Sequence, residues 1–176
     1  MLASEDTAGL EALAREIARA SWFAATGTPL TEADCADAAA YAAALGFGAV
    51  RVAPATSWPE AKRITNSAAA VAWWDAEDRL AKSMAPGPDL LPALTRVTDA
   101  ASAVVHGAAS IALARAGIAD AALARAAAGA ATQACFHAAL ALSRHAGEDH
   151  PFAIKFRLYQ AGRWPLGIAG GTLHLL

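Results

Sequence analysis

The chain has 176 residues, a length typical of one folded domain, and 56% of them are hydrophobic while only 7% are aromatic. Its formal net charge is −2 at pH 7, and its basic residues are spread along the sequence. This pattern excludes the concentrated positive charge with which proteins bind nucleic acid. We therefore expect one domain over residues 1–176 and no nucleic-acid partner.

Alanine is the dominant residue, at about three residues in ten. It has the highest helix propensity and loses no side-chain entropy on folding, so its excess favours helices. Each alanine also buries little apolar area. Stability must then come from close helix packing and from scattered large side chains.

Targeting and redox features indicate a cytoplasmic protein. Glu5 and Asp6 precede the first arginine, which is unlike a secretory signal. The longest uncharged stretch, 126–143, contains polar side chains and is typical of a buried helix in a soluble protein, so we expect no membrane partner. Cys35 and Cys135 lie far apart without a CxxC pairing, and we interpret them as reduced thiols.

The first two helices are marked by capping residues. The Ser-Glu-Asp sequence at 4–6 begins a helix that ends before Pro29, and Thr31 with Asp34 resembles a capping box at the start of a second helix ending at 45–46. The apolar stripe of the first helix is Leu10, Leu13 and Ile17. A short strand is possible over 48–53, where the sequence alternates weakly.

Glycine and proline residues mark the boundaries of four further predicted helices in the rest of the chain. Their expected ranges are 57–84, 89–115, 120–147 and 150–162. Short connections between successive helices favour antiparallel neighbours. The predicted fold is mainly α, an antiparallel bundle of about six helices.

The sixth predicted helix is apolar on most sides. Large side chains at 152–159 surround Lys155 and Arg157. Such a helix is either central to the fold or shared with a second subunit. We expect a homo-oligomer.

The C-terminal stretch 161–176 is rich in glycine, but it does not fit a phosphate-binding loop. No lysine follows its glycines, and no helix can follow at the chain end. A two-residue turn at Gly170-Gly171 instead predicts a β-hairpin over 163–176. Its expected pairs are Ala169 with Thr172, Ile168 with Leu173, Gly167 with His174, and Leu166 with Leu175.

Asp75 and Asp78 each have a basic residue four positions on, whereas Glu77 does not. Trp73 and Asn66 lie four and eleven residues before it, on the same side of a continuous helix. Two interpretations remain open: an ordinary surface acid, or a buried carboxylate beside a tryptophan that is useful in acid–base chemistry.

The fourth predicted helix has a row of polar residues. These are Thr95, Asp99, Ser102, His106 and Ser110. The row is either a solvated stripe or the lining of a polar cavity with His106 as base or ligand. Neither a nucleophile elbow nor an oxyanion hole accompanies this serine–histidine pair.

Gln133 and His137 lie one turn apart in the uncharged fifth helix, so His137 is either a hydrogen-bonded core residue or part of a site. Cys135 points away from His137 on a helix, and a metal site would need His106 to meet His137, with Glu77 or Asp99 as oxygen ligand. We predict neither a metal nor a cofactor.

No complete catalytic motif is present, so the first hypothesis is a binding or interaction protein. The alternative is an enzyme or small-ligand binder with a polar site inside the bundle. Its candidate residues are Asn66, Trp73, Glu77, Asp99, His106, Gln133 and His137. A third hypothesis is a structural subunit of a larger assembly.

Overall fold

The structure, a computed structural model, describes residues 4–176, apart from the side chains of residues 4–7 and 69. In this range the chain forms seven α-helices, one 3-10 turn and three short strands. The helices are α1 (Ser4–Arg19), α2 (Glu32–Ala44), α3 (Trp58–Thr65), α4 (Val71–Ser83), α5 (Leu91–Arg115), α6 (Ala121–Ser143) and α7 (Pro151–Gln160). The strands are β1 (Arg51–Pro54), β2 (Pro165–Ala169) and β3 (Thr172–Leu175). The predicted mainly α fold with a C-terminal hairpin is confirmed.

The expected capping box of α2 is present. The Thr31 hydroxyl accepts from the Asp34 backbone N–H at 3.1 Å, and the Asp34 carboxylate accepts from the Thr31 N–H at 2.9 Å. Both donors would otherwise lack partners at the helix start. The predicted start of the first helix at Ser4 agrees with α1, but the cap contacts of residues 4–7 lie outside the described side chains.

The single helix predicted over 57–84 is wrong. The chain instead forms α3, a 3-10 turn at Ala68–Ala70, and then α4. Thr65 and Ser67 donate their hydroxyl groups to nearby backbone carbonyls, among them the carbonyl of Ile64. Such local bonds compete with helix continuation. Asn66 consequently caps α3 rather than extending it.

Small residues line the contact between the two longest helices, α5 and α6. Ala101 and Ala109 of α5 and Ala127, Ala131 and Ala134 of α6 are fully buried. Their short side chains let the helix backbones approach closely, so dense packing replaces the area that larger residues would bury.

Helix α7 is central to the fold, which is one of the two positions that its composition left open. Its Phe152 and Phe156 belong to a large apolar cluster that includes residues of α1, α3, α5 and α6. Its Ile154 and Leu158 belong to a second cluster with residues of α2, α4 and β3. The helix therefore lies between the two clusters and contributes to both.

The three strands form one sheet in the order β1-β3-β2. The hairpin register predicted for Ala169, Ile168 and Gly167 is confirmed, and β1 adds to β3 in parallel. The expected pairing of Leu166 with Leu175 is wrong, because a β-bulge makes Pro165 the partner of Leu175. Leu166 thereby joins the large apolar cluster, while Leu173 and Leu175 join the second one.

Hydrogen bonds connect the turn after α7 to the segment that precedes α2. Arg163 is 3% exposed and donates to the Asp34 carboxylate and to the carbonyls of Ala25, Thr28 and Pro29, at 2.6–3.1 Å. Every contact of this buried guanidinium is a charge-assisted hydrogen bond. The arrangement fixes the entry to α2 against the exit of α7.

Gly162 is required where these segments meet. Its φ is +81°, and a Cβ there would lie 2.7 Å from the Ala25 nitrogen. We expect Gly162→Ala to lower the free energy of unfolding by more than about 2 kcal/mol, because backbone strain and steric overlap add. Gly117→Ala is the matched control: its φ is +71° but nothing lies within 4 Å of the added Cβ, so its cost should be about 1 kcal/mol. Urea unfolding of both variants checks this, and equal losses would contradict it.

Candidate functional site

A salt bridge between two buried side chains lies where α4 meets α7. Lys155 donates to the Glu77 carboxylate at 2.7 Å, and each residue is only 1% exposed. Charges removed from water in this way are unstable unless they are paired and hydrogen-bonded. The interpretation of Glu77 as an ordinary surface acid is therefore wrong.

Tyr41 of α2 completes the shell around the carboxylate. Its hydroxyl donates to the second oxygen of Glu77. Burial, followed by the negative charge of Glu77, raises the pKa of Tyr41 well above its usual value. The phenol thus keeps its proton and remains a donor. Trp73 packs edge-on against this ring, with the centroids 4.8 Å apart.

His137 of α6 approaches the other side of the ammonium group. Its Nδ1 lies 3.5 Å from Lys155 Nζ, and its ring stacks on Phe152 with a centroid distance of 4.0 Å. Burial, and then the charge of Lys155, lowers the pKa of His137 to about 2. The imidazole is consequently neutral, and Nδ1 can accept from the ammonium group.

Tyr159 lies one turn after Lys155 on α7. Its hydroxyl has no hydrogen-bond partner within the described residues. Burial is the largest cause of a raised pKa for Tyr159, and Glu77 is the next. We call Tyr41, Glu77, His137, Lys155 and Tyr159 the buried polar cluster.

The sequence predicted only some members of the buried polar cluster. The four-residue spacing of Trp73 and Glu77 places them on one face of α4, and both are buried. Lys155, Tyr41 and Tyr159 were not among the predicted site residues. A lysine within the apolar run of α7 was the available clue, but its partner Glu77 is 78 positions away.

The predicted site residues do not converge on one cavity. Trp73, Glu77 and His137 are buried, and Lys155 joins the last two. The other four, Asn66, Asp99, His106 and Gln133, are exposed. His106 therefore cannot complete a metal site with His137, and no group of three or more metal-ligating side chains occurs in the described part of the chain.

The cluster is closed to solvent in this structure. Glu77, Lys155 and His137 are at most 2% exposed, so a substrate could touch them only after the helices had moved apart. What the arrangement does is hold α2, α4, α6 and α7 together at one point. Cys135, also buried, is a free cysteine whose pKa burial raises to about 12, which leaves the thiol protonated.

The polar row of α5 faces outward instead. We define the α5 outer face by its exposed members Asp99, Ala100, Ala103, His106, Gly107, Ser110 and Ala114. Ile111, beside it, is 54% exposed. The interpretation of this row as a solvated stripe agrees with these exposures, while the cavity interpretation does not.

The α5 outer face combines the polar residues Asp99, His106 and Ser110 with small residues, three alanines and a glycine. By length and composition alone α5 could cross a membrane, with a mean hydropathy of 1.3 over its most apolar window, yet only 28% of that window is buried. A core helix of a soluble protein passes the same test, so this observation is weak evidence for a membrane span. Much of the α5 surface is therefore not covered by the described residues.

No family model, curated protein or solved structure matches this chain.

Removing one member of the buried ion pair should be costly. We expect Lys155→Met to lower the free energy of unfolding by about 3–5 kcal/mol, since it leaves Glu77 buried without a counter-charge. Adding Glu77→Gln should restore more than half of the loss. Lys82→Met is the control, because Lys82 is 76% exposed in its pair with Asp78 and should change stability little. A double variant no more stable than the single one would contradict the pairing.

The lowered pKa of His137 predicts a pH dependence. The unfolded chain binds a proton near pH 6.5, whereas the folded chain binds it only near pH 2. Above pH 6.5 the histidine is neutral in both states and does not lower the free energy of unfolding. Below pH 6.5 the free energy of unfolding falls by about 1.4 kcal/mol per pH unit, because the unfolded chain alone binds the proton. His137→Asn should lose this slope while keeping an acceptor near Lys155. Urea unfolding of the wild-type chain and the variant at about pH 7.5, 5.5 and 4.5 measures this slope. Equal slopes for the two proteins would show that His137 is protonated in the folded state.

Proposed function

We propose that this chain is an interaction protein that works as a homodimer, with the α5 outer face as its interface. The observation that carries the proposal is the low burial of α5, the longest helix of the described residues, along its most apolar window. An apolar helix face on a soluble protein is stabilised when a second helix covers it. A second copy of the same helix is the occupant to which we commit.

Small residues make close self-packing feasible. Ala100, Ala103 and Gly107 follow each other on the outer face at intervals of three and four residues, beside His106. Two helices can approach to about 8 Å where the contacting side chains are this small. Ile111 then lies at the border of the contact, where the partner covers its exposed surface.

Charge placement favours an antiparallel pair. Asp99 and His106 lie at equal distances on either side of the position between Ser102 and Ala103. With a twofold axis there, Asp99 of each copy faces His106 of the other, so the same polar contact forms twice. A parallel arrangement would instead place Asp99 beside Asp99.

The expected affinity is modest. One pair of helices is expected to bury an area at the lower end of the ~1,200–2,000 Å² found in specific interfaces, where weak and transient contacts are found. Dimerisation is therefore best sought at tens to hundreds of micromolar protein.

Ala103 lies beside the proposed axis, so a charge there meets its own copy. We expect Ala103→Glu to raise the dimer Kd at least ~30-fold, about 2 kcal/mol, in sedimentation equilibrium. Ala126→Glu is the matched control, an exposed alanine in the interior of α6, and should leave Kd unchanged. A wild-type chain that stays monomeric at several hundred micromolar would overturn the proposal.

Cross-linking tests the geometry of the same interface. In a Cys35→Ser background, Ala103→Cys should form an intermolecular disulfide under mild oxidation, because its Cα can approach its copy within about 7 Å. Ala114→Cys should not, since the two copies would lie about 35 Å apart along the helix axes. Binding of the monomer to phosphatidylcholine vesicles, without cross-linking, would contradict self-association and favour a membrane partner.

A further inference from the structure

A cavity of about 490 Å³ lies between the 20–26 segment, the start of α3 and the last turns of α5. Aromatic residues Trp22, Phe23 and Trp58 line one side, and Ala108 and Ala112 of α5 line the other. Its volume falls within the ~300–1,000 Å³ typical of small-molecule sites. Trp22, Phe23 and Trp58 are each at most 5% exposed, so only parts of their side chains reach the cavity, beside the small alanine side chains of α5.

The aromatic wall is preformed and its backbone is strained. Phe23 has a φ of +59°, a conformation that bulky L-residues rarely adopt. Its ring is fixed by Trp58 at a centroid distance of 5.8 Å and by Tyr159 at 6.4 Å. Strain of this kind is retained where the surrounding structure enforces it, often at ligand sites.

Two lining residues have buried polar atoms without partners. Trp58 is 2% exposed, and its indole N–H has no acceptor within the described residues. The Thr26 hydroxyl likewise has no partner there. Buried polar groups are normally hydrogen-bonded. Both atoms lie beneath the cavity surface, so a ligand oxygen reaches them only after the side chain rotates.

Arg115 adds a positive charge to the lining. It forms no hydrogen bond or ion pair with other described residues. The carbonyls of 112, 113 and 114 at this end of α5 already accept from the N–H groups of 116, 118 and 117. The guanidinium is thus the dominant unsatisfied charge, and its planar fork suits a carboxylate.

We propose that this cavity binds a small organic anion with an aromatic body, its ring between the aromatic wall and α5 and its carboxylate on Arg115. The proposal goes beyond dimerisation and rests on the aromatic residues and Arg115, while Ile111 both lines the cavity and borders the proposed dimer contact. Trp22 and Trp58 lie in the wall, so their fluorescence reports occupancy directly.

Two ligands of the same shape, one with a carboxylate and one neutral, test the contribution of the charge separately from that of the ring. We expect 2-naphthoate to bind the wild-type chain at least 10-fold more tightly than neutral 2-naphthamide in calorimetric titrations. Arg115→Gln should weaken naphthoate at least 10-fold and leave naphthamide within twofold. Arg125→Gln, an exposed arginine of α6, is the matched control and should change neither.

Filling the cavity tests its location. Ala112→Leu should weaken both probes at least 10-fold, and Ala108→Leu serves the same purpose if the first variant does not fold. Naphthoate binding that is unchanged in a folded leucine variant would overturn the proposal. So would equal losses in Arg115→Gln and Arg125→Gln, or no saturation of the wild-type chain at millimolar naphthoate.

Discussion

The structure depends on the burial of one ion pair, Lys155 with Glu77, at the boundary between its two apolar clusters. Removing both charges from water is unfavourable, and the cost is offset only when every remaining donor and acceptor finds a partner. Tyr41 and His137 supply those partners from two further helices. A shift of any one of these helices would leave a charge unsatisfied, so the pair selects one arrangement of α2, α4, α6 and α7.

The alanine content explains why a buried ion pair is useful in this fold. Alanine-rich helices slide past one another at little cost, because their surfaces are smooth and each residue buries little area. Specific polar contacts restore a unique register: the buried polar cluster at α7, and Arg163 with Asp34 at the entry to α2. The same smoothness leaves the α5 outer face suited to another helix of the same kind, which is how the composition connects fold to proposed function.

Sequence patterns that span a few residues predicted the features that neighbouring residues determine. The capping box at Thr31, the apolar stripe of α1 and the turn at Gly170-Gly171 depend on residues a few positions apart. The break after Thr65, the bulge at Leu166 and the Lys155–Glu77 pair depend on competing hydrogen bonds or on partners far along the chain. Periodicity placed Glu77 and His137 on helices but could not show that a lysine would join them, nor that His106 would face outward.

The antiparallel α5 pair is the central functional claim, and pulsed dipolar EPR between single spin labels tests it most directly. Labels placed in turn at exposed positions 107, 110 and 114 should give intermolecular distances that grow by about 3 Å per residue away from the axis, because both copies move outward by the helical rise. A distance that stays constant along α5 would indicate parallel pairing. The absence of any dipolar signal at several hundred micromolar protein would contradict the dimer itself.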